Sequence, residues 1–242
     1  MSKKAILSLS GGLDSTSLLL FLLSMGYEVR AYSFDYGQKH KVELEKVKEN
    51  IKLLQSYKLP VVHQIIDLKD CFSGSTSSLH SDSGVEIPEG HYQDISMMST
   101  VVENRNIIFA SIIYGKALAW SKSIGGESVE IHLGIHSGDH AVYPDTTVQS
   151  RLSAELCFRI SNWGSEKVSY KALFEEKNKS GVLEVGLVSC KVLEIPWEEI
   201  FKNTHTCYNP DFEGKSCGRC GSCIERLEAF KEKGFTDPIK YQ

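Results

Sequence analysis

The stretch ILSLSGGLDSTSLLLFLL, residues 6–23, decides how this chain is read. An apolar run of strand character ends in Ser10-Gly11-Gly12, an acid follows at Asp14, and a strongly apolar run of helical length comes next. Glycines between a strand and a helix let the backbone turn tightly and bring its N–H groups against an anion. The helix start adds partial positive charge, and Ser10, Ser15, Thr16 and Ser17 add hydroxyl donors. The loop lacks the lysine of G-x-x-x-x-G-K-[ST], and it is not the dinucleotide fingerprint G-x-G-x-x-G. The acid then has two readings. Asp14 caps free N–H groups of the helix, or it holds Mg²⁺ that bridges it to phosphate. A plain tight turn capped by Asp14 or Ser15 is the alternative to phosphate binding.

Outward from this loop, short β-rich runs alternate with helical patterns. AILSLS, EVRAYSF, VVHQIIDL and VEIHLGI read as strands. Between them, LDSTSLLLFLLSMG reads as a helix apolar almost all round, which suits a helix packed between the sheet and a further element. HKVELEKVKENIKLLQSY carries Leu44, Val47, Ile51 and Leu54 on one helical face, and NIIFASIIYGKALAWSKSIG is a third helix. The expected fold is α/β: an open, mostly parallel sheet with helices on both faces. SGSTSSLHSDSG, residues 73–84, is polar and is expected to be mobile, opening a long connection to about Val102 that suits a lid or binding loop.

The second break in the rhythm is the tail TCYNPDFEGKSCGRCGSCIER, where Cys207, Cys217, Cys220 and Cys223 give C-x9-C-x2-C-x2-C. Four thiolates over so short a span can close a tetrahedral Zn²⁺ site. An iron–sulfur cluster or a redox pair are the other readings. His205 is expected to be a surface histidine, since four cysteines already fill a tetrahedron. The division expected is residues 1–203 as an α/β domain carrying the glycine loop and 204–242 as a small zinc subdomain packed on it, the former ATP-binding by the resemblance that follows.

S-G-G-x-D-S directly after the first strand resembles the pyrophosphate loop of the adenine-nucleotide α-hydrolase superfamily, whose members cleave ATP between the α and β phosphates. With the tail, the resemblance narrows to the 7-cyano-7-deazaguanine synthases. Beside SGGLDST, it rests on FDYGQKH (34–40), NRN (104–106), GIHSGDHAVYPD (134–145), NKSG (178–181) and TCYN…CGRCGSCIER, in that order. It implies a ligase that adenylates the carboxylate of 7-carboxy-7-deazaguanine, lets ammonia displace AMP, and adenylates the amide so that it eliminates to the nitrile. Carried over residue by residue, it gives Ser8, Leu9, Ser10, Gly11, Gly12, Leu13, Asp14, Ser15 and Thr16 to ATP. Asp14, Arg105 and Lys179 are given to catalysis. Tyr36, Gln38, His40, Arg105, Asn106, His136, Asp139, Tyr143 and Asp145 are given to the substrate, and the four tail cysteines to Zn²⁺. ATP, Mg²⁺ and Zn²⁺ are the implied cofactors, and a homodimer the implied assembly.

The departures from the family pattern lie where substrate should bind. Glu103-Asn104 stands for proline-glycine, Thr146-Thr147 for cysteine-arginine, and Ser180-Gly181 follows Lys179 where a glutamate is usual. They leave open a second acceptor: an amine on a protein or other macromolecule, as in an anti-phage or modification system. A tRNA-modifying relative is disfavoured by 27 Lys+Arg against 31 Asp+Glu, net charge −4, which gives no broad basic surface. The longest apolar window is too short to span a membrane, and the N-terminus does not read as a signal peptide. A cytoplasmic enzyme is expected.

Overall fold

A computed structural model describes residues 2–91, 95–136 and 143–242. Five strands, β1 (Lys4–Ser8), β2 (Glu28–Asp35), β3 (Val61–Asp67), β4 (Val129–His132) and β5 (Val168–Lys171), form one sheet in the order β3-β2-β1-β4-β5. Every pairing is parallel. Alternation along β1 splits the apolar side chains between two cores: Ala5 and Leu7 join one and Ile6 the other, all fully buried. The strand β5 was not anticipated, because VSYK is too short to show a period.

One face carries α1 (Leu13–Ser24), α2 (Val42–Ser56), α5 (Lys179–Val192), α6 (Trp197–Phe201) and α7 (Gly221–Glu232). The other carries α3 (Arg105–Ser123), and α4 (Val148–Ser161) precedes β5. The all-round apolarity of α1 is explained: Leu18, Leu19, Leu20, Leu22 and Leu23 are buried, with the sheet on one side and α5 on the other. Gly186 of α5 makes that approach possible. A Cβ there would stand 2.5 Å from Ser17 Oγ and 2.7 Å from Phe201 Cζ. The apolar stripe expected on α2 is also the one buried.

In the α7 region, Ala229 and Phe230 join the core built by α1 and α5. The wholly buried Arg226 ties the tail together, donating to both carboxylate oxygens of Asp237, to Thr204 and Thr206 Oγ1, and to the carbonyl of Phe201. The serine-rich stretch is not the free loop expected. Ser77, Ser78, Leu79 and His80 are buried, His80 Nε2 lies 3.0 Å from the Tyr36 carbonyl, and Ser75 and Thr76 donate to Glu103. Its polar side chains close turns and anchor to neighbouring elements, which composition alone does not reveal. Among the described residues no helix is long and apolar enough to cross a membrane.

Candidate active site

In a sheet of this order the chain reverses direction between β1 and β4, leaving a crevice outside the carboxyl ends of the strands. The glycine loop fills that position. Gly11 has φ +89°, and a Cβ there would meet Val47 Cγ2 at 2.7 Å and the Glu43 carbonyl at 2.8 Å, so α2 locks the loop from behind. Gly12 is the N-cap of α1 with extended backbone and no side-chain cap. The first N–H groups of α1 have no intrahelical acceptor and are available to an anion.

Of the two readings open for Asp14, the cap is not the one found. It caps nothing. Its Oδ2 accepts a 2.7 Å bond from Lys179 Nζ, delivered by the first turn of α5, and lies 3.9 Å from His136 Nε2 after β4. Its Oδ1 is buried without a partner. Burial raises the carboxyl's pKa, but Lys179 and then His136 outweigh it, so Asp14 titrates below its ordinary value. The lysine missing from the loop therefore arrives from 165 residues away. Glu225 of α7 lies 3.5 Å from the same ammonium, supplying a carboxylate where the sequence beside Lys179 has none.

Two cavities, of about 250 and 220 Å³, meet at Ser8, Ser10, Asp14, Arg105, Asn106, Phe109 and Tyr208. The smaller runs along the glycine loop and is lined by Gly12, Tyr36, His40, Glu43, Lys179, His205, Thr206 and Ser222. The larger has apolar walls, including Ile113, Leu133 and Ile135, with Tyr143, Asp145, Arg151 and Tyr170 among them. The Tyr170 hydroxyl has no hydrogen-bond partner, and Arg151 makes a two-pronged contact with Glu175.

Arg105 opens α3, with Nη1 3.2 Å from Tyr36 Oη and Nε donating to Asn106 Oδ1. The preceding Asn104 has φ +55°. Asparagine tolerates this left-handed conformation better than most residues, which explains how it can stand where the family pattern has glycine.

Most residues singled out from sequence converge here, but not all face the cavities. Ser8, Ser10, Gly12, Asp14 and Ser15 line them. Leu9 also lines the smaller cavity, although its side chain joins the core; Gly11, Leu13 and Thr16 do not, and His136 is buried beside Asp14. Gln38 is turned inward, accepting from Tyr36 N and donating to the Phe34 carbonyl and to Glu43. Asp139 lies outside the described residues. His205 is no surface residue: it is buried, its pKa lowered to about 4 chiefly by burial. Its N–H donates to the Gly11 carbonyl and its ring lies 2.9 Å from the Cys207 carbonyl. Glu43, Thr206, Tyr208, Ser222 and Glu225 were missed. Only Glu43 carried a local signal, an acid three residues after His40 that one helical turn can bring beside it.

The four tail cysteines are buried, free of disulfides, and hold their sulfur atoms within 4.8 Å of one another. Cys217 and Cys223 Sγ are 4.0 Å apart, close to the edge of a tetrahedron with metal–sulfur bonds of about 2.3 Å. Backbone N–H groups of Asn209 and Cys217 point at Cys207 Sγ, and those of Arg219 and Cys220 at Cys217 Sγ. That is the surrounding expected of thiolate metal ligands.

The profile of the queuosine biosynthesis protein QueC family matches residues 4–234. The chain belongs to the QueC family. It is 40% identical over 243 residues, covering 100% of both chains, to a 7-cyano-7-deazaguanine synthase of Marinomonas sp. (strain MWYL1). It is 37% identical over 239 residues, covering 99% of each, to one of Methanoregula boonei. Among solved structures, a 4-thiouridine synthetase in complex with RNA and ATP aligns with 93% of this chain and 50% of its own, at 17% identity and TM-score 0.47. That distance transfers nothing about function.

Proposed function

We propose that this QueC-family protein is an ATP-dependent carbon–nitrogen ligase that converts 7-carboxy-7-deazaguanine and ammonia to 7-cyano-7-deazaguanine in the queuosine pathway. The observation that carries the reading is the meeting of two cavities at the glycine loop, beside an Asp14–Lys179 pair. One cavity is polar and suits phosphates, and the other has the apolar walls and scattered polar groups that suit a planar base. Full-length relatives bearing this enzyme's name support the same conclusion.

In this reading the carboxylate oxygen of the base attacks the α-phosphorus of ATP and pyrophosphate leaves. The α1 N-terminus with Ser10 and Ser15 cradles the leaving group, and Lys179 offsets its charge. Arg105, at the junction of the cavities, faces the acyl-phosphate centre and holds the two reactants in line. Ammonia then displaces AMP, and a second adenylation, now of the amide oxygen, permits elimination to the nitrile. Mg²⁺, when bound, screens the phosphates, and the unpartnered Asp14 Oδ1 is the oxygen that would hold it. Tyr143 and Asp145 are assigned to the base. Zn²⁺ is assigned to Cys207, Cys217, Cys220 and Cys223, whose convergence suits a closed structural site. Residues 204–242 form the corresponding subdomain of the division proposed at residue 203.

A homodimer is proposed on the exposed stripe Val148, Leu152, Leu156 and Ile160 of α4, with Trp163 94% exposed beyond it. Under a twofold axis this ridge is self-complementary, 148 facing 160 and 152 facing 156. Sedimentation of Leu156→Asp as a monomer, against a dimeric parent, would support it, and a monomeric parent would refute it. The function itself is tested by ATP–pyrophosphate exchange. Exchange that requires 7-carboxy-7-deazaguanine is expected, and its absence with that acid overturns the proposal.

A further inference from the structure

Glu43 is 8% exposed, yet it lines the cavity that runs along the glycine loop. Its backbone carbonyl is the atom against which Gly11 is packed, which fixes it one residue's width behind the loop. Its Oε1 accepts from Gln38 Nε2 at 2.9 Å and its Oε2 lies 3.6 Å from His40 Nε2. Gln38 is itself pinned at both ends by β2, through Tyr36 N and the Phe34 carbonyl, so the carboxylate is held in one orientation.

What is missing around Glu43 is a cation. Among the described residues its one ion-pair contact is His40, and burial first, with His205 and Arg105 nearby also disfavouring protonation, lowers the His40 pKa to about 3, leaving the ring neutral. Arg105 acts on Glu43 only from a distance, while Asp35 at the end of β2 and Tyr36 face it without offering positive charge. A buried carboxylate without a cation must hold a proton or receive a positive ligand. Burial is the main cause of its raised pKa, about 8, with Asp35 adding to it and Gln38 and Arg105 opposing.

We propose that Glu43, oriented by Gln38 and facing His40 in the cavity wall, is the site that receives ammonium and takes its proton in the amidation step. This rests on the ligase reading above. Ammonium is small, cationic and made only of donors, which matches an acceptor pair in a narrow polar cavity. One N–H proton passes to the Glu43 carboxylate. The lone pair so freed forms the new bond to the acyl carbon, the bond from that carbon to the AMP oxygen breaks, and AMP leaves as an anion. The extra proton on the new amide nitrogen goes to solvent, as does the proton held by Glu43 before the next cycle. A carboxylate of raised proton affinity suits the task, since a general base works best with a pKa near the working pH.

The test compares two nucleophiles on Glu43→Gln and on Gln38→Ala, which disturbs the orientation alone. Ammonium is protonated at neutral pH and needs a base, whereas hydroxylamine is mostly neutral there and does not. Glu43→Gln should lower ammonium-dependent AMP release by about 10²-fold or more while hydroxamate formation with hydroxylamine and acid-dependent ATP–pyrophosphate exchange stay within a few fold. Gln38→Ala should shift the same ratio in the same direction by less. Equal losses with both nucleophiles would make Glu43 structural, and no loss with ammonium would make it a bystander; either result overturns the proposal. Wild-type protein without pyrophosphate exchange would instead refute the underlying ligase reading.

Discussion

The four-cysteine tail and the glycine-loop crevice are built in opposite ways. All four sulfur donors of the tail come from one run, Cys207 to Cys223, and converge because short turns leave them little choice. The charges of the crevice come from α1, α2, α3, α5 and α7, and its central ion pair spans 165 residues. A site of the first kind is fixed by local chain geometry and its metal; one of the second depends on the whole fold holding register. Yet the two are joined. The tail's His205 N–H holds the Gly11 carbonyl, and Glu225 of α7 faces Lys179. The difference teaches that the local site supports the distributed one.

That dependence is open to attack, most severely at the metal. Stripping the tail with a thiol-competing chelator, or replacing Cys220 by serine, should unfold residues around 204–223, because so small a segment has little core without ligation. ATP binding by calorimetry should be lost together with the metal. Retained ATP affinity in metal-free protein would uncouple the two regions.

Arg226→Met comes next. The guanidinium is wholly buried, and Asp237 beside it is almost so. Removing one partner of such a pair strands the other's charge, at a cost of about 3–5 kcal/mol. A fall in melting temperature is expected, and Asp237→Asn in the same background should recover part of it.

Lys179→Ala acts inside the crevice alone. It should reduce pyrophosphate exchange by about 10²–10³-fold, the scale for losing one preorganised donor at a developing charge. Metal content should change little, which separates this side of the comparison from the tail.

How far each region was legible follows from the same difference. The zinc-type spacing, the strand–loop–helix of residues 4–24 and the stripe on α2 were readable because each is written in neighbouring residues. A parallel sheet followed from the alternation of strands and helices, but its strand order was not readable and β5 was too short to announce itself. The capping reading of Asp14 did not hold, because the partner that takes its carboxylate, Lys179, is remote in sequence. His205 was misread as exposed because burial beneath the glycine loop leaves no mark on the residues around it. Glu43 could have been suspected from its spacing to His40, but its lack of a cation is a property of the folded wall.

The smallest effect is one of pH. Glu43 titrates near 4.5 when unfolded and at about 8 in the fold, so the folded chain binds the extra proton between those values. Stability contributed by this group is therefore present at the acid end of the window and declines as pH rises through it. Glu43→Gln should remove that decline, melting roughly 2–4 °C above the parent at the alkaline end for each kcal/mol relieved, with the gap closing toward the acid end. A gap that widens toward acid would contradict the assignment.

The central claim is that the crevice activates a deazaguanine carboxylate and joins it to ammonia. Mass spectrometry of the products from 7-carboxy-7-deazaguanine, ATP and Mg²⁺, with and without ¹⁵N-ammonium, tests it most directly. The account predicts AMP and a ¹⁵N-labelled nitrile, formed only when ammonium is present. AMP release with no labelled nitrile or amide, and the label left in ammonium, would contradict it.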